Sequence, residues 1–498
     1  MFKIQNIYDI FSKMSLKVNV VISFLMALSL FCPLSAYSEE IELKPLTLYL
    51  SDDPYNLWKD SSAITEDIYS PTTLLGKSGQ ISYQYELENV LNVDDNENNI
   101  KLGSVTKNFS GMIPFRMPLL KKNTLAFSLR DFDSQSNITD SNEDILFRSS
   151  QASRINTIVY STMPISFIKT GIGWEDYNKS DNLFYEVSFV PIEPVSINYR
   201  KFQRDMQIET SLIKDAYLAR INLDPSEDVK EISIQINVPD TFRVNIAAED
   251  NDYNNAKFSL AASLGPNISA GTSMMRRHLD FLNNISIDDT ESGQISGLID
   301  YYSNSAWIVF NPYKTKYIFG IKESTFNIEG GGKVTGDSVL NFWEDLLAGE
   351  RFFNYDLKIR STIYHLGIEN KTTERLTLRG GIQYILTTPE GNLDHWTPFP
   401  IIQIGKLDEE IINLDYKWAR LGVLAFGFSY RFRVFELTYA FGQIIPIKVK
   451  KVEEIDGIVS ETESTIGKGG WDPGNLWDTI VENPGGNIQV LKITWFFT

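Results

Sequence analysis

Cysteine is all but missing from this chain. Cys32 is the one cysteine among 498 residues, and it lies in an apolar stretch near the N-terminus. Without other thiols there is no disulfide framework, no thiolate nucleophile and no thiolate metal site. Basic charge is short as well: 46 Lys and Arg against 64 Asp and Glu leave a formal net charge of −18. So acidic a chain is a poor partner for nucleic acid, and none is expected. Beyond residue 38 no run of 18 apolar residues occurs, which excludes helical membrane spans. No repeat with a period of roughly 20–50 residues is found, so solenoids and propellers drop out. The "GGG" of residues 330–332 lacks the Lys-Ser ending of a phosphate loop. No metal cluster and no cofactor motif is present, and neither a metal nor a cofactor is expected.

What is present begins with "SLKVNVVISFLMALSLFCPLSAYSEE". Lys17, the apolar residues 18–31 and the small residues after Pro33 have the layout of a cleaved signal peptide. Ala36 and Ser38 take the −3 and −1 places of a cut before Glu39. The other reading, an uncut N-terminal anchor, needs a longer apolar run than this one. Phe31 before Cys32 is too large for a lipidation site. Three lysines and one aspartate leave with residues 1–38, taking the net charge from −18 to −20.

Most of the remaining chain alternates in twos, the period of a strand. In "ISYQYELE" Ile81, Tyr83, Tyr85 and Leu87 oppose Ser82, Gln84, Glu86 and Glu88. In "EISIQINV" Ile232, Ile234, Ile236 and Val238 oppose Ser233, Gln235 and Asn237. "LAFGFSYRFRVFELTYAFG" reads as a hairpin turning at Arg433-Val434, and Pro239-Asp240 marks another turn. One helix is expected, over "GDSVLNFWEDLLAGE", with Asp337 as N-cap and Gly349 as stop.

Two architectures fit an exported all-β chain: a soluble sandwich, or a membrane barrel with apolar faces outward and aromatics at its rims. Residues 422–432 are long enough to cross the apolar layer at a barrel's tilt, with Trp418 beyond one end and Phe432 and Phe435 at the other. The final "LKITWFFT" places Leu491, Ile493, Trp495 and Phe497 on one face. It resembles the closing strand of bacterial outer-membrane barrels, with Trp495 and Phe497 as the assembly ending. The expected fold is therefore a closed antiparallel transmembrane β-barrel of about 16 strands, with a range of roughly 14–20. Its expected divisions are residues 1–38 as signal peptide, 39–80 as hatch or periplasmic segment, and 81–498 as barrel. The resemblance implies the cell outer membrane, with its lipid and lipopolysaccharide and the barrel assembly machinery as partners. The last strand should run toward the periplasm, making residues 451–486 an outer loop.

Arginines recur on faces expected to line the lumen: Arg200, Arg220, Arg243, Arg360, Arg379 and Arg431. They read either as a cationic path for anionic solutes or as an ion-paired lining with Glu86, Glu186, Asp356 and Glu436. Ala425, Gly427 and Ser429, with Ala440 and Gly442, form a smooth patch against which a plug, a ligand or a sharply curved sheet would fit. In the outer loop Trp471 and Trp477 either collect apolar ligand or pin the loop to the rim. The segment "WARLGVLAFGFSYRFRVFELTYAFG" resembles the penultimate hairpin of the long-chain fatty acid transporter family. Residues 39–80 match that family's N-terminal hatch in length. The resemblance implies a plugged transporter for hydrophobic compounds such as fatty acids.

No catalysis is expected. Barrel phospholipases place a serine two residues after a histidine, and after His278, His365 and His395 those places hold Asp280, Gly367 and Thr397. Asp394 and His395 are adjacent, so on a strand they point to opposite faces. A porin-like passage for small solutes is the main expectation. A hydrophobic-compound transporter and an adhesive or structural barrel are the alternatives.

Overall fold

The computed structural model describes residues 68, 70–94, 98–117, 120–140, 145–178, 180–205, 208–214, 217–223, 226–238, 241–249, 255–287, 290–335, 349, 351–395, 412–413, 416–455, 458–466 and 487–497. A 3-10 turn, Pro71–Leu74, precedes the first strand. The strands β1 (Gly79–Asp94), β2 (Asn98–Met117), β3 (Leu120–Asp140) and β4 (Ile145–Ile165) follow. Next come β5 (Ile168–Tyr177), β6 (Ser180–Ile192), β7 (Val195–Asp205), β8 (Ile208–Lys214) and β9 (Tyr217–Leu223). The middle is β10 (Ser226–Val238), β11 (Phe242–Glu249), β12 (Ala256–Gly265), β13 (Ile268–Ile287) and β14 (Thr290–Phe310). Then β15 (Thr315–Val334), β16 (Arg351–Lys371), β17 (Leu376–His395) and β18 (Ile412–Asn413). The chain closes with β19 (Tyr416–Arg431), β20 (Phe435–Ile455), β21 (Ile458–Ile466) and β22 (Asn487–Phe497).

Eighteen of these strands form a closed antiparallel ring. β22 closes it on β1, with Ile81 opposite Trp495 and Gly79 opposite Phe497. The strand number is 18 and not 16. The reason is local: β5–β7 and β10–β12 are only 8–13 residues long, so this sector uses less chain per strand than the rest. On the rim of Phe497 every connection has two to four residues, whereas the strand ends Val334 and Arg351, His395 and Tyr416, and Ile455 belong to the other rim. Part of the expected outer loop 451–486 is strand, because β20 runs on to Ile455 and β21 folds back on it. The expected helix at 336–350 lies outside the described residues apart from Gly349, as do residues 1–67.

The alternation puts apolar side chains outside. On β6, Leu183, Tyr185, Val187 and Phe189 are exposed while Asn182, Phe184, Glu186 and Ser188 are buried. Leu183 is 64% exposed and Glu186 3%, the reverse of a water-soluble domain. The stripe of β22 follows this rule, since Trp495 and Phe497 are exposed and Val490 and Thr494 are buried. Outward aromatics pair across strands near the short-turn rim, as in Phe432–Phe435 and Phe310–Tyr317. They pair again higher up, in Tyr185–Tyr199 and Tyr364–Tyr384. Above that level the outer face turns charged, with Asp131 and Arg154 in an exposed ion pair.

The wall has two heights. β2–β4 and β13–β17 are 20 or 21 residues long and stand above the short sector between them. Each step is sealed by an asparagine that imitates a paired strand. Asn178, in the left-handed conformation at φ 46°, donates its N–H to the Arg154 carbonyl and accepts the Arg154 N–H with its side chain. Asn255 does the same with its amide to the backbone of His278. Above the short sector the hairpin β8–β9 spans from β4 to β13.

Candidate functional site

The inner wall holds the chemistry. Its most enclosed part is where the chain enters β1. Glu186, on β6, is buried and accepts the Thr72 backbone N–H at 2.8 Å and the Ser70 hydroxyl at 3.1 Å. Ser161, on β4, donates to the Pro71 carbonyl at 2.6 Å. Gly171 leaves the space that Pro71 fills, for a Cβ there would collide with the proline ring. Residues 70–74 are thus held inside the barrel by three neighbouring strands.

Beside this contact runs an apolar row. Met112, Ala126 and Val159 stand directly opposite one another on β2, β3 and β4. Phe184, Phe202 and Val229 continue on β6, β7 and β10, with Gly173 between the two halves. Ile68 and Leu74 pack on this row, and the whole forms one buried cluster. Its phenyl rings lie 5.6 Å apart, a favourable tilted pair.

The arginines fall into three groups. Arg200 faces inward between Glu186 and Glu231 and bonds the latter at 3.2 Å. Arg379 faces inward and binds Glu369 at 2.9 Å, with Ser429 as a second acceptor. Lys316 holds the other Glu369 oxygen at 3.4 Å. Arg243 reaches Asn237, and Arg431 lies over the Phe496 ring, both at the short-turn rim. Arg220 lies on β9, outside the closed ring. Arg360 takes the outward parity with Tyr364 and Leu366, not the lumen expected of it, and Asp356 shares that outward face. Arg200 and Arg379 are thus brought to carboxylates, Arg243 and Arg431 stand at the rim, and Arg220 and Arg360 do not line the ring.

The smooth patch is inward and covered: Ala425 and Ala440 are 1% exposed. His278 stands on the outward face between Asp280 and Asp300. Trp471 and Trp477 lie outside the described residues. Two more inward groups are Lys322 on β15, which carried no signal in the sequence, and His365 on β16, which the sequence offered only as a histidine without a serine partner. Both ring nitrogens of His365 are buried without a hydrogen-bond partner.

These features define a closed barrel with an ion-paired lumen that holds part of its own chain. No family model matches the sequence, and no curated protein matches it. Among solved structures the chain is similar to OmpT, an outer membrane protein of Vibrio cholerae, at 8% identity over 82% of this chain and 99% of that one, TM-score 0.32. It is similar to the toluene transporter TodX of P. putida at 10% identity, covering 87% and 94%, TM-score 0.32. A Pseudomonas aeruginosa FadL homologue gives 9% identity, 90% and 98% coverage and TM-score 0.34. Likenesses of this size carry no argument about function.

Proposed function

We propose that this chain is a barrel of the bacterial outer membrane, exported through a cleaved signal, that passes small solutes past a plug made by its own N-terminal segment. The observation that carries the reading is the docking of Ser70, Pro71 and Thr72 on Glu186 and Ser161 inside the ring. The exposed apolar outer face supports a lipid surround, because a water-facing wall of that kind would aggregate. A second reading, passage of hydrophobic compounds, is supported by the apolar row from Met112 to Val229, part of which Ile68 and Leu74 cover. No catalytic role is assigned.

Conductance in planar bilayers tests the plug. The parent should give rare, small steps. Glu186→Ala combined with Ser161→Ala should raise their frequency at least about tenfold, because a hydrogen bond to a carboxylate and one to a carbonyl are lost. Large steady steps from the parent would mean an open porin. Silence in every folded variant would end the passage reading and leave the scaffold.

A further inference from the structure

We propose that the inner wall of β13–β17 carries a binding site for a hydrophilic oxyanion, a phosphate or carboxylate group, centred on Lys322 and His365. It deepens the reading of the lumen as a solute path. Lys322 stands directly opposite Ser305 on β14 and Ile363 on β16. His365 lies two residues along β16 from Ile363, so the two basic residues are diagonal neighbours on one face, with backbones about 7–8 Å apart. One step above them a row of hydroxyls crosses three strands, Ser303 opposite Ser324 and Ser324 opposite Ser361.

Three observations point to an anion. Lys322 has no hydrogen bond or ion pair among the described residues, although it faces the interior beside buried Ser305 and Ile363. His365 has both ring nitrogens buried and unpartnered. An unsatisfied buried polar group is costly and calls for a partner. Among the described residues the one inward carboxylate on β13–β17 is Glu369, and its oxygens are already held by Lys316 and Arg379. In a chain of net charge −18 this is a wall with basic and hydroxyl donors and no free acid.

The chemistry is that of oxyanion recognition. The ammonium supplies charge and up to three donors, the imidazole one N–H in either neutral tautomer, and each serine one O–H. The hydroxyl row favours a polar ligand over an alkyl chain. The geometry also relocates selectivity: Arg200 and Arg379 are held by carboxylates, so on β13–β17 discrimination between anions and cations falls to Lys322 and His365.

Line broadening of 31P resonances on the detergent-refolded full chain tests the site, with inorganic phosphate and glucose 6-phosphate as probes. Saturable broadening is expected, and Lys322→Gln and His365→Gln should each weaken it at least about tenfold while the folded barrel still shows heat-modifiable migration. Lys322→Arg should stay within about threefold of the parent, and Lys230→Gln, which removes a lysine from the outer face, should leave binding unchanged. Tighter binding of the sugar phosphate would assign the site to a larger solute, and equal binding to the free ion. No saturable binding by the parent, or binding by both Gln variants within about twofold of it, overturns the proposal. A barrel that binds phosphate yet never conducts would overturn the passage reading and leave the site standing.

Discussion

Phe184 is fully enclosed by Gly173 below its ring and Phe202 beside it, so its contribution can be isolated. Phe184→Ala should destabilise the refolded barrel by about 3–5 kcal/mol, the usual range for a buried phenyl group, as read from urea titration of the heat-modifiable band. Gly173→Ala places a methyl group where that ring lies and should cost about 1–3 kcal/mol by overpacking. A loss under about 0.5 kcal/mol in both would mean that the cluster is not packed as described. Glu186 was legible because Leu183, Tyr185, Val187 and Phe189 of β6 keep to one parity and it falls on the other, whereas Phe184, apolar on the inward parity, broke the pattern. Arg360 was not legible. In "LKIRSTIYHLGI" Ile359 and Ile363 share one parity while Tyr364, Leu366 and Ile368 share the other, so apolar content does not say which face is out. Lys322 gave no signal for another reason. Its significance lies in the lack, among the described residues, of an inward acid beside it, since Glu369 on β16 is held by Lys316 and Arg379; that is a property of the register and not of the local sequence.

At the scale of elements, the hairpin β8–β9 stands apart from the ring. β8 is joined to β4 by five residue pairs and β9 to β13 by three. Hydrogen exchange should therefore be faster in residues 221–223 than in 209–213, since a shorter ladder opens more readily. Replacing residues 206–225 by a short turn should leave a folded barrel, because β7 and β10 already pair over their whole upper length. Failure of that deletion to fold would show that the hairpin helps build the ring. β22 has the opposite role. It pairs with β1 on one side and β20 on the other, so a defect here opens the barrel. Ile493→Arg should cost about 2–4 kcal/mol if that residue lies near the lipid midplane. The strands of the ring were legible from their stripes, whereas the upper part of β20 and β21 carries no such stripe. "KVEEIDGIVSETESTI" has few apolar residues, and a ladder standing in water needs no apolar stripe to form.

For the whole molecule, the boundary between apolar and charged outer faces should be the membrane surface. On β14 the outward residues run from Phe310 and Ile308 near the short-turn rim up to Asn304 and Tyr302. Eight residues at a barrel's tilt rise about 20 Å, close to the apolar band of known barrels. Above this level Arg276 lies over the Tyr302 ring at 5.3 Å, a basic group at the height where lipid head groups would begin. The long strands continue past it, with exposed Asp133 on β3 and Asn284 on β13. Cys32 is the one native cysteine and falls within residues 1–38, so a chain starting at Glu39 is free of thiols and suited to labelling. In liposomes a water-soluble maleimide should react quickly with Asp133→Cys and Asn284→Cys. It should spare Ile308→Cys and Phe319→Cys, which are 43% and 48% exposed on the outer face, until the barrel is unfolded. Exposure to solvent-sized contact and protection from water can coexist only if lipid covers the wall. Equal labelling of all four variants would place the apolar face in water, and the membrane assignment would fall with it.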